Sequence, residues 1–377
     1  MKITTLKENL KEGINYVEKV IGKNLTLPIL NNILLEADDS FIKLSATDLE
    51  IGITYWLLAK VEEKGGISIP AKILSSFINS LPKEKVNINQ KELMVSISCQ
   101  NYKATIKGFS KEEFPIIPQI KEGDQIEIDG KIFYEGLSQI VSIPVLSQTR
   151  PEISGIFVSF TKKSLKLAAT DSFRLAEKNL TIDYPLEKEY SLIIPQKTGY
   201  ELLQILSEKN QQNKKIKIHF SPDQIMFEAM MEDAKHPQMR LISRLIEGEY
   251  PNYQEIIPQK YQTQVVLPKE EFLNQIKIAS LFSGKINDVK IKADPKSEIL
   301  EISSQNPDLG ENNSSIPYKM KGEKQEIDFN YKFLIDGLLN IKSSEVIFEL
   351  NGEDGPGVLK PVGDASYLYV VMPIKAN

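Results

Sequence analysis

Residues 42–48 read IKLSATD and residues 165–171 read LKLAATD, the same order of apolar, basic, small and acidic types 123 residues apart. Internal similarity at a fixed period constrains a fold more tightly than composition does, because every copy must form the same unit of structure. The chain has 377 residues, room for three units of that spacing and more than a single core takes up. The second copy runs on as SFRLA and carries Arg174, one of only four arginines in the protein.

The chain taken in order bears the repeat out in three segments. The first third opens on LKENLKEGINYVEKVIG, where Leu6, Leu10, Ile14, Val17 and Ile21 recur at spacings of three and four; the pattern predicts one helix from Leu6 to Gly22. TLPILNNILLEA follows, and then IKLSATDLEIGITYWL, whose alternating apolar positions predict strand. Gly65-Gly66 marks a turn, and ISIP leads into a second amphipathic helix, Ala71 to Leu81, behind a proline start signal. VNINQKELMVSISC and NYKATIKGF read as strands before EEFPIIP ends the segment at Pro118.

The middle third replays this order. IEIDGKIFYEGLSQIVSIP supplies a strand and a helix, ISGIFVSF and LKLAATDSFRLAEKN supply strands, and YSLIIPQKTGYELLQIL (Tyr190 to Leu206) is again strand, proline, helix. Pro70 and Pro195 are 125 apart, with Lys72 and Lys197 two residues after each, and GEYPNYQEIIP (Gly248 to Pro258) echoes EEFPIIP. The last third diverges but keeps the sequence of elements. KEEFLNQIKIASLF (Lys269 to Phe282) is the opening helix, LEISSQN stands in the place of LKLAATD, and Lys332 in IDFNYKFLIDGLLNI (Ile327 to Ile341) stands where Lys72 and Lys197 stand. Met372-Pro373 takes the place of Phe114-Pro115 and Tyr250-Pro251. Short polar linkers near Gly123 and Gln259 divide the chain into domains 1–122, 123–260 and 261–377.

Composition narrows the chemistry. Hydrophobic residues at 41% and charged residues at 26% describe a soluble globular chain, and no apolar run approaches the roughly 18 residues of a membrane helix. MKITTLKENLKEG has no signal-peptide apolar region, and Cys99 alone can form no intrachain disulfide, which together point to the cytoplasm. Net charge is −5, so any nucleic-acid surface must gather its lysines on one face. His219 sits in an alternating strand and His236 in a polar loop, so neither belongs to a catalytic triad. No phosphate-binding glycine loop is present, and GEDGPG (Gly352 to Gly357) reads as a hairpin turn. By content this is a poor enzyme.

TLPILNNILLEA, ATDLEIG, EEFPIIP, TDSFRLA, SRLIEGEYPNYQEIIP and the C-terminal YVVMPI, in order along the whole chain, closely resemble the bacterial DNA polymerase III β subunit, the replicative sliding clamp family. The resemblance implies an α+β fold of three tandem clamp domains, each with two helices packed on antiparallel sheets, and two chains closed head to tail into a ring around double-stranded DNA. It implies a processivity factor with no catalytic residue, cofactor or metal. Lysines on inward helices would face phosphates: Lys7, Lys11, Lys19, Lys23, Lys72, Lys197, Lys277 and Lys332, each of which reads equally well as part of a solvated helix face. Sparse lysine–phosphate contacts are independent of sequence, which suits sliding. The family's arginine before the TLPIL motif is Asn24 here, with Lys23 beside it.

The resemblance also implies a groove for short peptide motifs of the polymerase α subunit and other polymerases, the clamp loader δ subunit and mismatch-repair proteins. Carried over by motif, it comprises Ile153, Thr170, Ser172, Phe173, Arg174 and Leu175; Pro251 and Ile256; and Asn330, Phe333, Val358, Val370, Val371, Met372, Pro373 and Ile374. An apolar groove with a flexible methionine suits varied apolar partner residues, although Val370 to Ile374 reads alone as a core strand. Ser172-Phe173 stands where the family often has Gly-His, and Glu255 where it often has arginine. Ring closure would use Leu281 and Phe282 against the strand around Tyr102 to Ile106, residues that also fit ordinary core packing. The rival readings are a three-domain enzyme acting on nucleotides or DNA, and a tandem-repeat binding protein that never closes a ring.

Overall fold

The computed structural model describes residues 1–22, 27–120, 124–182, 188–207, 212, 214–232 and 234–375. Lys23, Asn24, the linker at Gly123 and the tail Ala376-Asn377 lie outside the described residues. Contacts gather the chain into two compact units: Met1–Tyr134 with Lys197–Ile246, and Glu135–Gln196 with Glu247–Asn377. These units do not coincide with thirds of the sequence, because each is built on a nine-stranded sheet that draws strands from two neighbouring repeats.

Six helices are described: α1 (Lys7–Glu18), α2 (Ala71–Ser80), α3 (Gly130–Ser138), α4 (Gln196–Leu206), α5 (Lys269–Ser280) and α6 (Tyr331–Asn340). None of the described helices is long and apolar enough to cross a membrane. Leu10, Ile14 and Val17 form the buried face of α1, as their spacing predicts. Leu6 and Ile21 do not belong to it. Leu6 ends the strand Lys2–Leu6 with 51% of its surface exposed, and the helix stops at Glu18. IKLSATDLEIGITYWL is likewise two strands, Phe41–Thr47 and Ile51–Leu58, joined by a tight turn at Asp48.

In the first unit the strands Asn32–Asp38, Phe41–Thr47, Ile51–Leu58, Pro237–Arg244, Gln224–Met230 and Lys215–Phe220 lie side by side in that order, all antiparallel. In the second unit Gly155–Phe160, Ser164–Thr170, Arg174–Thr181, Tyr367–Val371, Gly357–Pro361 and Glu345–Leu350 repeat the order. The seam between repeats has the same register in both: Ile242 opposite Gly52, and Val370 opposite Leu175. Glycine packs the helices onto these sheets at matching places. A Cβ on Gly13 of α1 would stand 2.9 Å from Leu44 and 3.1 Å from Leu57, and one on Gly136 of α3 would stand 3.2 Å from Leu167 and 2.6 Å from Leu180. Each unit also carries a smaller sheet: five strands ending at the edge Tyr102–Lys107 in the first, four ending at the edge Gly310–Pro317 in the second.

Candidate peptide groove and lysine faces

The turn after Thr170 is built by local hydrogen bonds. Asp171 Oδ1 accepts from the backbone N–H of Phe173 and of Arg174, each at 3.0 Å, while Thr170 Oγ1 donates to the Arg174 carbonyl at 2.7 Å. Aspartate and threonine are the side chains that satisfy a turn in this way. The turn carries Ser172 at φ +76°, a left-handed conformation that raises Phe173 off the sheet. Phe173 keeps 61% of its surface exposed, with its ring stacked on Phe333 at 6.4 Å and 22°.

Arg174 points the other way and is 8% exposed. Its Nε donates to Asp171 Oδ2 at 2.9 Å, its Nη1 donates to Asp336, and its guanidinium lies 4.7 Å from the Phe333 ring centre. Burial works against the charge, but Tyr369, Asp336 and Asp171 outweigh it and raise the arginine's pKa. A buried charge held by two carboxylates is a fixed strut, because removing either side strands the other.

The opposite wall is the chain's C-terminal strand. Val370 and Val371 pair with Leu175 and Arg174, and the Met372 N–H donates to the Phe173 carbonyl at 2.8 Å. Beyond the strand the Ile374 N–H donates to the Asp328 carbonyl at 2.7 Å, and Pro373 bridges Phe329. Asn330 Oδ1 accepts from the Lys332 N–H and starts α6, which brings Phe333 and Asp336 to Arg174. The floor is an apolar cluster of Ala168, Leu175, Tyr253, Val358 and Val370, packed by Phe157, Tyr250, Ile257 and Leu368. Tyr250 accepts from the Thr170 N–H at 3.0 Å, and Tyr253 donates to Glu177 at 2.6 Å; burial pushes both phenols above their ordinary pKa.

The residues carried over by motif therefore sort into two shells. Ile153, Thr170, Arg174, Leu175, Val358, Val370 and Val371 are buried and hold the site, whereas Ser172, Phe173 and Ile256 are exposed and Pro251, Asn330, Phe333, Met372, Pro373 and Ile374 are half-buried at the surface. Glu255 is exposed and accepts from Asn252 at 2.7 Å. Sequence reasoning missed Asp171, Asp336, Tyr250, Tyr253 and Glu177. The first is legible in the repeated ATD; Asp336 is 162 residues from Arg174 and has no local signal.

Lysines sort too. Lys72, Lys197, Lys277 and Lys332 are exposed on α2, α4, α5 and α6, with Lys197 paired to Asp48. Lys11 and Lys19 of the α1 region are half-buried, and Lys19 Nζ donates to the Gln204 carbonyl at 3.1 Å. Lys7 is a correction: its side chain is 7% exposed and bound to Glu8 at 3.1 Å, because helix α1 begins there and turns that position inward. Ile106 is another. Alternation along Tyr102–Lys107 puts Tyr102 outside, 53% exposed, and Ile106 in the core at 6%. Leu281 is 67% exposed just past α5, with Phe282 half-buried beside it.

Residues 1–118, 127–252 and 254–375 match the sequence models of the DNA polymerase III beta subunit N-terminal, central and C-terminal domains. The chain belongs to the DNA polymerase III beta subunit family. It is similar to the beta sliding clamp of Bacillus subtilis, 28% identical over 387 residues with all of both chains covered. It is 26% identical over 380 residues to that of Synechococcus elongatus, covering 100% of this chain and 99% of the relative. The crystal structure of the Bacillus subtilis DNA polymerase sliding clamp superposes with a TM-score of 0.93 over 100% of both chains. A Pseudomonas aeruginosa sliding clamp bound to griselimycin, 23% identical, shares the fold with a TM-score of 0.92 over 100% of both chains. As a member of this family the chain is a non-catalytic processivity clamp of DNA polymerase III.

Proposed function

We propose that two copies of this chain, each with clamp domains 1–122, 123–260 and 261–377, close head to tail into a ring around double-stranded DNA in the cytoplasm. The reading is supported by two open sheet edges, Tyr102–Lys107 and Gly310–Pro317. An unpaired edge is a template for another chain, and pairing the first edge of one copy with the second edge of its partner would cover both. Tyr102 and Leu281 are the exposed apolar residues that such a joint would bury. Lys11, Lys19, Lys72, Lys197, Lys277 and Lys332 supply phosphate contacts that are weak singly and independent of sequence. Lys23 belongs to this proposal by sequence alone. The link to DNA is topological, so each contact can be loose.

The groove at Phe173 and Met372 tethers extended peptides of the polymerase, of the clamp loader and of repair proteins. The observation that carries this is the exposed Phe173, beside half-buried Phe333 and Met372, on a turn locked by the Asp171–Arg174–Asp336 network. Phe173 and Glu255 favour partners more apolar and less acidic than an arginine at 255 would.

The ring predicts a dimer of about 85 kDa, twice the chain mass of 42.7 kDa, that a clamp loader leaves on nicked circular DNA and that slides off after linearisation. A monomer that is never retained removes the proposal. Arg174→Ala with Met372→Ala should abolish peptide binding and leave the dimer intact; unchanged peptide affinity removes the groove.

A further inference from the structure

The turn at Asp171 has a twin. In the first unit Asp48 Oδ1 accepts from the N–H of Glu50 at 3.0 Å and of Ile51 at 2.7 Å, and Thr47 Oγ1 donates to the Ile51 carbonyl at 2.8 Å. Leu49 has φ +80°, where Ser172 has +76°. The Arg244 N–H donates to the Glu50 carbonyl at 3.1 Å, as that of Met372 does to Phe173. The backbone that frames the groove of the second unit is thus present a second time, bond for bond.

Its side chains form a different surface. Gly52 replaces Leu175, and Ile117 takes up the space: a Cβ on Gly52 would be 2.7 Å from Ile117 Cγ2. The segment Phe114–Gln119 leaves a cavity of about 300 Å³ on one side and one of about 200 Å³ on the other, adjoining at Gly52, Ile116, Pro118 and Ile242. Ile116 is 94% exposed, more than any other large apolar residue described, and Leu49 is 46% exposed in a conformation uncommon for leucine. Apolar side chains held out over a groove mark a place for a partner.

The charge around the groove is positive in a chain whose net charge is −5. The cavities are lined by Lys43, Lys111, Arg240 and Arg244 against Glu36 and Glu50. Lys43 is paired with Glu36 at 2.9 Å and Arg240 with Glu228 at 2.7 Å. Lys111 and Arg244, among the described residues, have no carboxylate within 4.0 Å. These two cations, with Glu112 next to Lys111 and Glu50 on the cavity of Arg244, flank exposed isoleucine and leucine.

We propose that this face of the first unit is a second peptide groove, which takes an extended segment alternating apolar and acidic side chains. The apolar residues would lie on Ile116, Leu49 and Ile242, and the carboxylates would meet Lys111 and Arg244. The assignment rests on reading the twin turn of the second unit as a peptide site. Exposed apolar side chains between the cations favour a peptide over a nucleic-acid backbone, which offers phosphate without an apolar counterpart.

The test uses the full chain and a fluorescein-labelled heptapeptide alternating leucine and glutamate, followed by polarisation. Met372→Asp closes the groove of the second unit, and one site should remain. Adding Ile116→Asp, a fully solvated position that folding does not depend on, should weaken that site about tenfold, which corresponds to about 1.4 kcal/mol. Lys111→Glu with Arg244→Glu should weaken it similarly and shift preference to a second labelled heptapeptide alternating leucine and lysine. Loss of all binding in Met372→Asp, or binding indifferent to the substitutions in the first unit, overturns the second groove. Displacement of the acidic peptide by a ten-residue oligothymidylate at equal concentration also overturns it and assigns the cations to nucleic acid. If Met372→Asp changes nothing while Ile116→Asp abolishes binding, the second groove stands and the groove of the second unit falls.

Discussion

The turn at Asp48 and the turn at Asp171 share a backbone and differ in what it carries. In the second unit Arg174 ties the turn to α6 through Asp336, with Phe173 raised above it. In the first, Ile51 is 1% exposed in the same place, and the remaining oxygen of Asp48 takes Lys197 of α4. One scaffold therefore supports a buried ionic strut in one unit and an apolar plug with a surface ion pair in the other. Hydrogen bonds between neighbours in sequence define the frame, and the side chain three residues after each aspartate decides its chemistry.

Removing each cation should separate the two turns most clearly. Arg174→Ala leaves Asp171, whose side chain is 8% exposed, without its partner and should cost about 3 kcal/mol, the lower end for a broken buried pair because Asp336 is 43% exposed. Lys197→Ala breaks an exposed pair and should cost no more than about 0.5 kcal/mol in urea unfolding. Equal losses would erase the distinction.

The floors should differ next. Leu175→Ala empties a fully buried position against Tyr253, Val358 and Val370 and should cost about 2–3 kcal/mol. Gly52→Ala meets Ile117 Cγ2 at 2.7 Å and Ile242 Cγ2 at 3.3 Å and should cost about 1–2 kcal/mol, with Ile117 displaced outward in a crystal structure of the variant.

The smallest expected effect is acid sensitivity in the first unit. Burial raises the Glu228 pKa, but His219 and Arg240, whose Nε donates to it at 2.7 Å, lower it to about 2 from an ordinary 4.5. His219 Nε2 stands 3.9 Å from the other oxygen of the carboxylate, beyond hydrogen-bond distance. A carboxyl whose folded pKa is depressed stabilises above its unfolded pKa, and the stabilisation is lost as pH falls. Melting followed from pH 5 to 2 should show that loss between 4.5 and about 2, and Glu228→Gln should flatten it. An unchanged slope would move the acid-labile group elsewhere.

Most of the scaffold was legible in the chain because its causes are local. The proline-led helices and the strand alternation each depend on residues within a few positions of one another, and the expected helix ends at Leu81 and Leu206 fall within a residue of the observed ones, whereas the ATD turns read in the sequence as continuous strand. Boundaries failed where a neighbour in space intervened. Leu6 has the helical spacing, but strand pairing with Lys85 takes it into a sheet. Lys7 looks solvated and is buried, and Ile106 looks like a joint and is core. Of the proposed groove, SFRL and VVMPI were named from the family resemblance; which of their side chains are buried and which exposed was not legible.

What the sequence determined by itself is periodicity and turn chemistry, which depend on backbone satisfaction inside short segments. Tertiary structure alone decided which strands share a sheet: Gly52 opposite Ile242 and Leu175 opposite Val370 each join two repeats. It also decided that Arg174 would meet Asp336 across 162 residues. Pairings of that range leave no periodic trace, because their energy appears only once separate segments have folded against each other. The likeness of the repeats made the frame, and the burial or exposure of a few side chains on it made the site.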